Sequence, residues 1–206
     1  VEDLIRAEQL RPQFEHLPRP WVAVLLGGDS GRFVMTPETG QRVGRLAQAL
    51  ARKSGGSVLA TDSPRTPRAA CDAMQAQLQP PCYCYRWGSA EDNPYKGLLA
   101  LADAFVVTGE SMSMLGEAVD TGKPLYVFDV GDLDSKDRAA PWWRLPHNYR
   151  YKPLTHRLAM RFGPTRMRRE IGNIQEALVE SGTAQWLTRA VIPEAAQRLQ
   201  AQMTVK

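Results

Sequence analysis

AFVVTGESMSMLGEAVDTGKPLYVF, residues 104–128, reads as a strand, a turn, a helix and a second strand. Ala104–Thr108 and Pro124–Phe128 are short apolar runs with the length and the β-branched or aromatic content of buried strands. Ser111 opens the helix between them, which runs to Asp120, and Gly122 stops it. The turn after Thr108 puts Ser111 and Ser113 in the first helical turn. Backbone N–H groups there lack intrahelical partners, and the helix dipole favours negative charge, so a diphosphate suits the position. Ser113 and Glu117 are four apart and share a helix face. Glu117 lies a turn deeper, where a carboxylate accepts from two ribose hydroxyls. Gly116 beside it leaves room for a ligand and does little for the helix. The plainer alternatives are Ser111 as a simple N-cap and Glu117 as a solvated surface residue.

The same alternation continues upstream. WVAVLLGG (21–28) is an apolar run ending in paired glycines, a buried parallel strand entering a tight turn. Thr36–Ser54 has helical spacing through Val43, Leu46 and Leu50, and Gly55-Gly56 ends it. SVLAT (57–61) is a further strand. A helix runs from Pro67 through Leu78, followed by the strand CYCYRW (82–87) and a short helix from Asn93-Pro94-Tyr95 carrying Leu98, Leu99 and Leu101. The fold class is therefore α/β, a Rossmann-like parallel sheet with helices on both faces. Residues 130–153 read as a long loop, with helices beyond it at 165–180 and 193–203. The expected organisation is a linker helix over 1–18, a nucleotide-binding domain over 19–130, and a loop with C-terminal helices over 131–206.

Ligands of an open parallel sheet sit outside the carboxyl ends of its strands. Two more turns belong to that edge. Gly27-Gly28-Asp29-Ser30-Gly31 offers close backbone approach and N–H groups, with Gly27, Gly28 and Ser30 as candidates, although it is neither GxGxxG nor a Walker pattern. Thr61-Asp62-Ser63-Pro64-Arg65-Thr66-Pro67 sets hydroxyls and an arginine at a helix entrance, with Ser63, Arg65 and Thr66 as phosphate contacts and ordinary capping as the alternative. Thr108, closing its strand, completes the set. Asp29, Asp62 and Glu110 are the carboxylates near these turns available for acid/base work.

Composition excludes several classes. The chain has 206 residues, 43% hydrophobic, with a net charge of +4. No apolar run is long enough for a spanning helix, and the polar N-terminus is no secretory signal. Cys71, Cys82 and Cys84 are an odd set, read as free thiols of a cytoplasmic protein, with Cys82 and Cys84 expected on opposite sides of their strand and no metal site. The basic interval from Arg150 to Arg169, with Trp142 and Trp143, is a candidate peripheral membrane contact over 142–169 or else a solvated face with an anchored loop. Nucleic acid is not expected as a partner.

NPYKGLLALADAFVVTGESMSMLGEAVDTGKPLYVF, with VAVLLGGDSGRF and TDSPRTP upstream, resembles the family named for a plant mitochondrial fission (elongated mitochondria) protein. Bacterial members of that family look like glycosyltransferases and are sometimes labelled nucleoside-diphosphate-sugar epimerases. The resemblance covers about Pro20 to Asp129 and is more distantly similar to the donor-binding half of GT-B glycosyltransferases. It implies a nucleoside-diphosphate sugar as substrate, with no cofactor. It also implies Gly27, Gly28 and Ser30 as the glycine-rich turn, Ser111 and Ser113 as the serine-bearing helix start, and Glu117 as the ribose carboxylate. Asn93 and Tyr95 belong to the block without an assigned role. Glu110 stands where the family usually has aspartate and Pro64 where it usually has arginine, which puts one phosphate contact in doubt. A GT-B enzyme also needs a first Rossmann-like domain for acceptor and catalytic base, so the chain is expected to be the C-terminal half of something longer.

Overall fold

Alternate side chains of each central strand enter different cores, which is why the strands read as continuous apolar runs. On β1 (Trp21–Leu25), Val22 and Val24 face one helical layer while Ala23 and Leu25 face the other. On β4 (Ala104–Thr108) the division is Val106 against Phe105 and Val107, and on β5 (Leu125–Phe128) it is Tyr126 and Phe128 against Leu125 and Val127. The computed structural model describes residues 2–30, 33–131, 158, 161–162 and 171–204.

Six parallel strands lie in the order β3-β2-β1-β4-β5-β6, with β2 at Ser57–Thr61, β3 at Cys82–Tyr85 and β6 at Gln185–Trp186. The chain starts in the middle at β1, steps outward to β3, then returns to lay β4 against the other side of β1. Strand order reverses there, and β1/β4 is the switch point of the sheet. Among the described residues the full helices are α1 (Glu2–Phe14), α2 (Pro37–Ser54), α3 (Arg68–Gln75), α4 (Tyr95–Leu101), α5 (Met112–Asp120), α6 (Ile171–Glu180) and α7 (Ile192–Thr204). The α/β class and parallel sheet expected from the sequence are observed. β6 is not foreseen: two half-buried residues are too few to show a period.

Local chemistry sets the element ends. The Thr36 hydroxyl accepts from the Thr39 N–H at 3.2 Å and Pro37 occupies the first turn of α2, which ends at Gly55 in the left-handed region (φ 75°). α7 inserts Ile192, Ala195, Ala196 and Leu199 into the core that also holds Val43 and Leu50 of α2. On the opposite edge Phe14 of α1 is fully buried, edge-to-face with Trp21 at 5.9 Å and Tyr83 at 4.9 Å.

Cys82 and Cys84 both pack on the α2 side of the sheet, the side that also holds Cys71. The expectation of opposite sides was wrong, because residues two apart on a strand share a face. All three are free thiols, and burial pushes Cys71 and Cys84 up to about 12, which makes them inert. Among the described residues no His, Cys, Asp and Glu group is suited to a metal ion.

Asp103, just before β4, fastens the start of β1. It accepts from Arg19 Nε at 3.0 Å, from Arg19 Nη2 at 2.5 Å and from the Trp21 N–H at 2.8 Å, and it is nearly buried. Asp103→Ala would leave a buried N–H without its acceptor and the Arg19 guanidinium without its carboxylate. The expected loss is about 2 kcal/mol, read by urea unfolding, whereas a loss under ~0.5 kcal/mol would show the strand start to be held by packing alone.

Candidate functional site at the switch point

The turns after β1, β2 and β4 are laced to one another by hydroxyls. Thr108 Oγ1 accepts from the Gly27 N–H at 2.8 Å and lies 3.1 Å from Glu110 Oε1. Thr66 Oγ1 lies 2.6 Å from the Gly27 carbonyl and 3.1 Å from that of Leu26, and it meets Ser63 Oγ at 3.0 Å. Gly27 and Gly28 are required by this closeness. A Cβ on Gly27 would stand 1.9 Å from Glu110 Oε1, and one on Gly28 would stand 2.1 Å from the Arg65 carbonyl oxygen. Two turns, one 39 and one 81 residues along the chain by their bonds to Gly27, thus close on the glycines after β1 at the sheet's carboxyl edge, where open α/β sheets place their ligand crevices.

Glu110 is the unusual group here. Its side chain is buried, at 1% exposure, and Oε2 has no hydrogen-bond partner among the described residues. Burial pushes its carboxyl up to about 7. Its own N–H, the Thr108 hydroxyl, the charge of Arg65 and the Gly28 N–H pull the other way. Asp29 and Asp62 differ from it: Asp29 Oδ1 accepts from the Met35 N–H at 2.9 Å and Asp62 Oδ1 from the Trp87 N–H at 2.5 Å, so both hold backbone.

The other candidates are placed as follows. Ser30 is half-buried and pairs through its backbone with Phe33. Ser63 and Thr66 spend their hydroxyls on the lacing, while Arg65 is exposed. Ser111 is the N-cap of α5, buried, and makes no side-chain capping bond to the helix. Ser113 and Gly116 are exposed, and a Cβ on Gly116 would meet nothing within 4 Å. Glu117 Oε2 takes a 2.8 Å ion pair from Lys96 Nζ of α4. Burial, then the charge of Glu117, pushes the neighbouring Tyr95 phenol up.

Two contacts escaped the sequence reading. Gln175 of α6 donates from Nε2 to the Gly109 carbonyl at 2.5 Å, bracing the β4–α5 turn from behind. A signal existed: Ile171, Ile174, Gln175 and Leu178 make one helical stripe, and Gln175 is its polar member. The Lys96–Glu117 pair links two helices across 21 residues with no local pattern to reveal it. The proposed membrane contact over 142–169 lies outside the described residues, apart from exposed Leu158 and Phe162 and Arg161 stacked 5.6 Å over the Phe162 ring. Among the described residues no helix is long and apolar enough to cross a membrane.

The family model described as mitochondrial fission ELM1 matches residues 2–161. The chain belongs to that family. Among curated ELM1-like relatives, the mitochondrial fission protein ELM1 of Arabidopsis thaliana is 37% identical over 116 residues, covering 56% of this chain and 27% of its own length. The uncharacterized protein RP120 of Rickettsia prowazekii is 28% identical over 129 residues, 62% of this chain and 36% of its own length. The chain thus spans 27% and 36% of the length of these two relatives. Solved structures similar to it include TcCGT1 in complex with UDP, at 15% identity and TM-score 0.33 over 54% of this chain and 28% of that one. Os79 from O. sativa in complex with UDP is 14% identical with TM-score 0.40, over 92% of this chain and 43% of that one. Likenesses of that size carry no argument about function.

Proposed function

We propose that this chain is the nucleotide-sugar-binding half of a GT-B-type glycosyltransferase, with the diphosphate at the β1/β4 switch point and the nucleoside along α5. The observation that carries the reading is the closeness of the Gly27-Gly28 turn to its neighbours, Gly27 against Glu110 and Ser111 at the entrance of α5 and Gly28 against the Arg65–Thr66 backbone of the β2–α3 turn. Helix α5 begins with no side-chain cap at Ser111. Its first N–H groups are therefore available to an anion, and they would stabilise a leaving diphosphate without a metal ion.

In this reading Glu117 binds the ribose. Open space over Gly116 and the exposed Ser113 one turn earlier favour a ligand along that face. The Lys96 pair does not oppose the role, because half-exposed ion pairs are worth little and exchange readily. Acceptor binding and the catalytic base would come from a second Rossmann-like domain outside this chain.

A thermal-shift panel of UDP, GDP and ADP tests the reading on this chain. A ligand that binds only the folded state stabilises it, by about 2.7 kcal/mol at a hundredfold excess over Kd. One of the three is expected to raise Tm by several degrees, and Glu117→Ala to remove the part of the shift that the nucleoside adds over inorganic pyrophosphate. No shift with any nucleotide at millimolar concentration would overturn the proposal.

A further inference from the structure

Glu110 is a carboxyl group set inside an anion-binding arrangement. Around it stand the Thr108 hydroxyl at 3.1 Å and the N–H groups of Gly28 and of Glu110 itself, and the charge of Arg65 on the β2–α3 turn reaches it. These are the donors that a phosphate at this turn would use. The side chain nevertheless remains buried with Oε2 unpartnered among the described residues. We infer that Glu110 is an internal occupant of the phosphate cradle, which competes with the ligand when ionised and yields its donors when protonated, so that diphosphate binding takes up a proton.

The physical steps are few. An ionised Glu110 holds the Gly28 N–H and the Thr108 hydroxyl as charge-assisted donors, and its charge repels an incoming diphosphate. A protonated Glu110 carries no charge and releases the Gly28 N–H, and its own O–H becomes a donor. The carboxylates of the adjoining turns, Asp29 and Asp62, are engaged by the backbone N–H groups of Met35 and Trp87. The β1 turn contributes glycine N–H groups, β4 contributes Thr108, and α6 reaches the turn through neutral Gln175. Arg65 is the charged neighbour whose effect on it is resolved among the described residues. The carboxyl itself, raised by burial to about 7, is half ionised near neutrality, where the competition is most sensitive to pH. Glu110 is in this sense a positioning residue. It governs which anion the turn holds.

This inference rests on the proposed nucleotide-sugar site, and the test separates the two. The probes are UDP-glucose, GDP-mannose and ADP-glucose, whose diphosphate is esterified at both ends and so lacks the phosphate proton that titrates near pH 6. Affinities of the wild-type chain and of Glu110→Gln are measured by calorimetry from pH 6 to pH 8. Wild-type affinity is expected to fall about tenfold over that range, as one competing group near 7 requires, while the Gln variant stays within about twofold. The wild type provides a second measurement: at pH 7, titrations in buffers of different ionisation heat are expected to show uptake of about half a proton. Equal pH slopes in the two proteins, or no proton uptake by the wild type, overturn the inference and leave the binding site standing. No binding of any probe at any pH overturns both.

Discussion

Gly28→Ala is expected to destabilise the chain by about 3 kcal/mol and to lower its Tm by about 10 °C, the scale set by overpacking and by the thermal response of a domain this size. The added methyl group would lie 2.1 Å from the Arg65 carbonyl oxygen, 2.2 Å from its carbonyl carbon and 2.6 Å from the Thr66 nitrogen. All three are backbone atoms, so no rotamer change relieves the contact. The β2–α3 turn itself must move, and that turn is tied back to β1 by Thr66 Oγ1 on the carbonyls of Leu26 and Gly27. Gly27→Ala is the useful comparison. Its first obstacle is the end of the Glu110 side chain, with Ser111 Cβ behind it at 3.0 Å, and a carboxyl group gives way more readily than a peptide. Denaturant unfolding of the two variants ranks them. A Gly28→Ala protein within ~1 kcal/mol of wild type would show that the two turns are not locked together as described.

How much of this was legible beforehand follows from the range of each interaction. The strands could be read because burial on both faces writes itself into every residue of Trp21–Leu25 and Ala104–Thr108. α2 could be read because its capping threonine, first-turn proline and terminal glycine are local. The strand order could not, since nothing in Val22 states that it lies beside both Val58 and Ala104. The same limit governs the site. Gly27, Gly28 and Ser111 stood out as turn residues. What crowds Gly27, however, is the carboxyl of a residue on another turn, a contact across the switch point. Glu110 itself was visible only as a carboxylate near the turns and as a departure from the aspartate usual in the resembling family. That its second oxygen is buried without a partner among the described residues depends on the closing of three segments together. β6 fell below any pattern because its two residues are placed by β5, through pairing at Tyr126 and Val127.

The second large effect concerns the same carboxyl and needs no ligand. With burial as the main cause, Glu110 moves from its ordinary 4.5 to about 7 in the folded chain. Below pH 4.5 it is protonated in both folded and unfolded states, and its contribution to stability is fully present. As pH rises from there, the unfolded chain ionises while the folded one does not, so stability is lost progressively until the folded group also ionises near 7. At about 1.4 kcal/mol for each pH unit of displacement, the total loss approaches about 3 kcal/mol. Glu110→Gln has nearly the same shape and no titration. Its amide leaves a polar group unpaired where Oε2 stood, but that cost does not change with pH and drops out of the slope. The difference between the unfolding free energies of the two proteins, measured in urea from pH 4 to pH 8, is therefore expected to move in one direction as pH rises. The wild type loses about 3 kcal/mol relative to the variant, most of it between pH 4.5 and 7, with a plateau above. A difference that is flat across this range would mean that water or backbone motion reaches the carboxyl and keeps it ordinary. In that case the buried Glu110 carboxyl would store no proton, and the competition for the phosphate cradle would lose its physical basis.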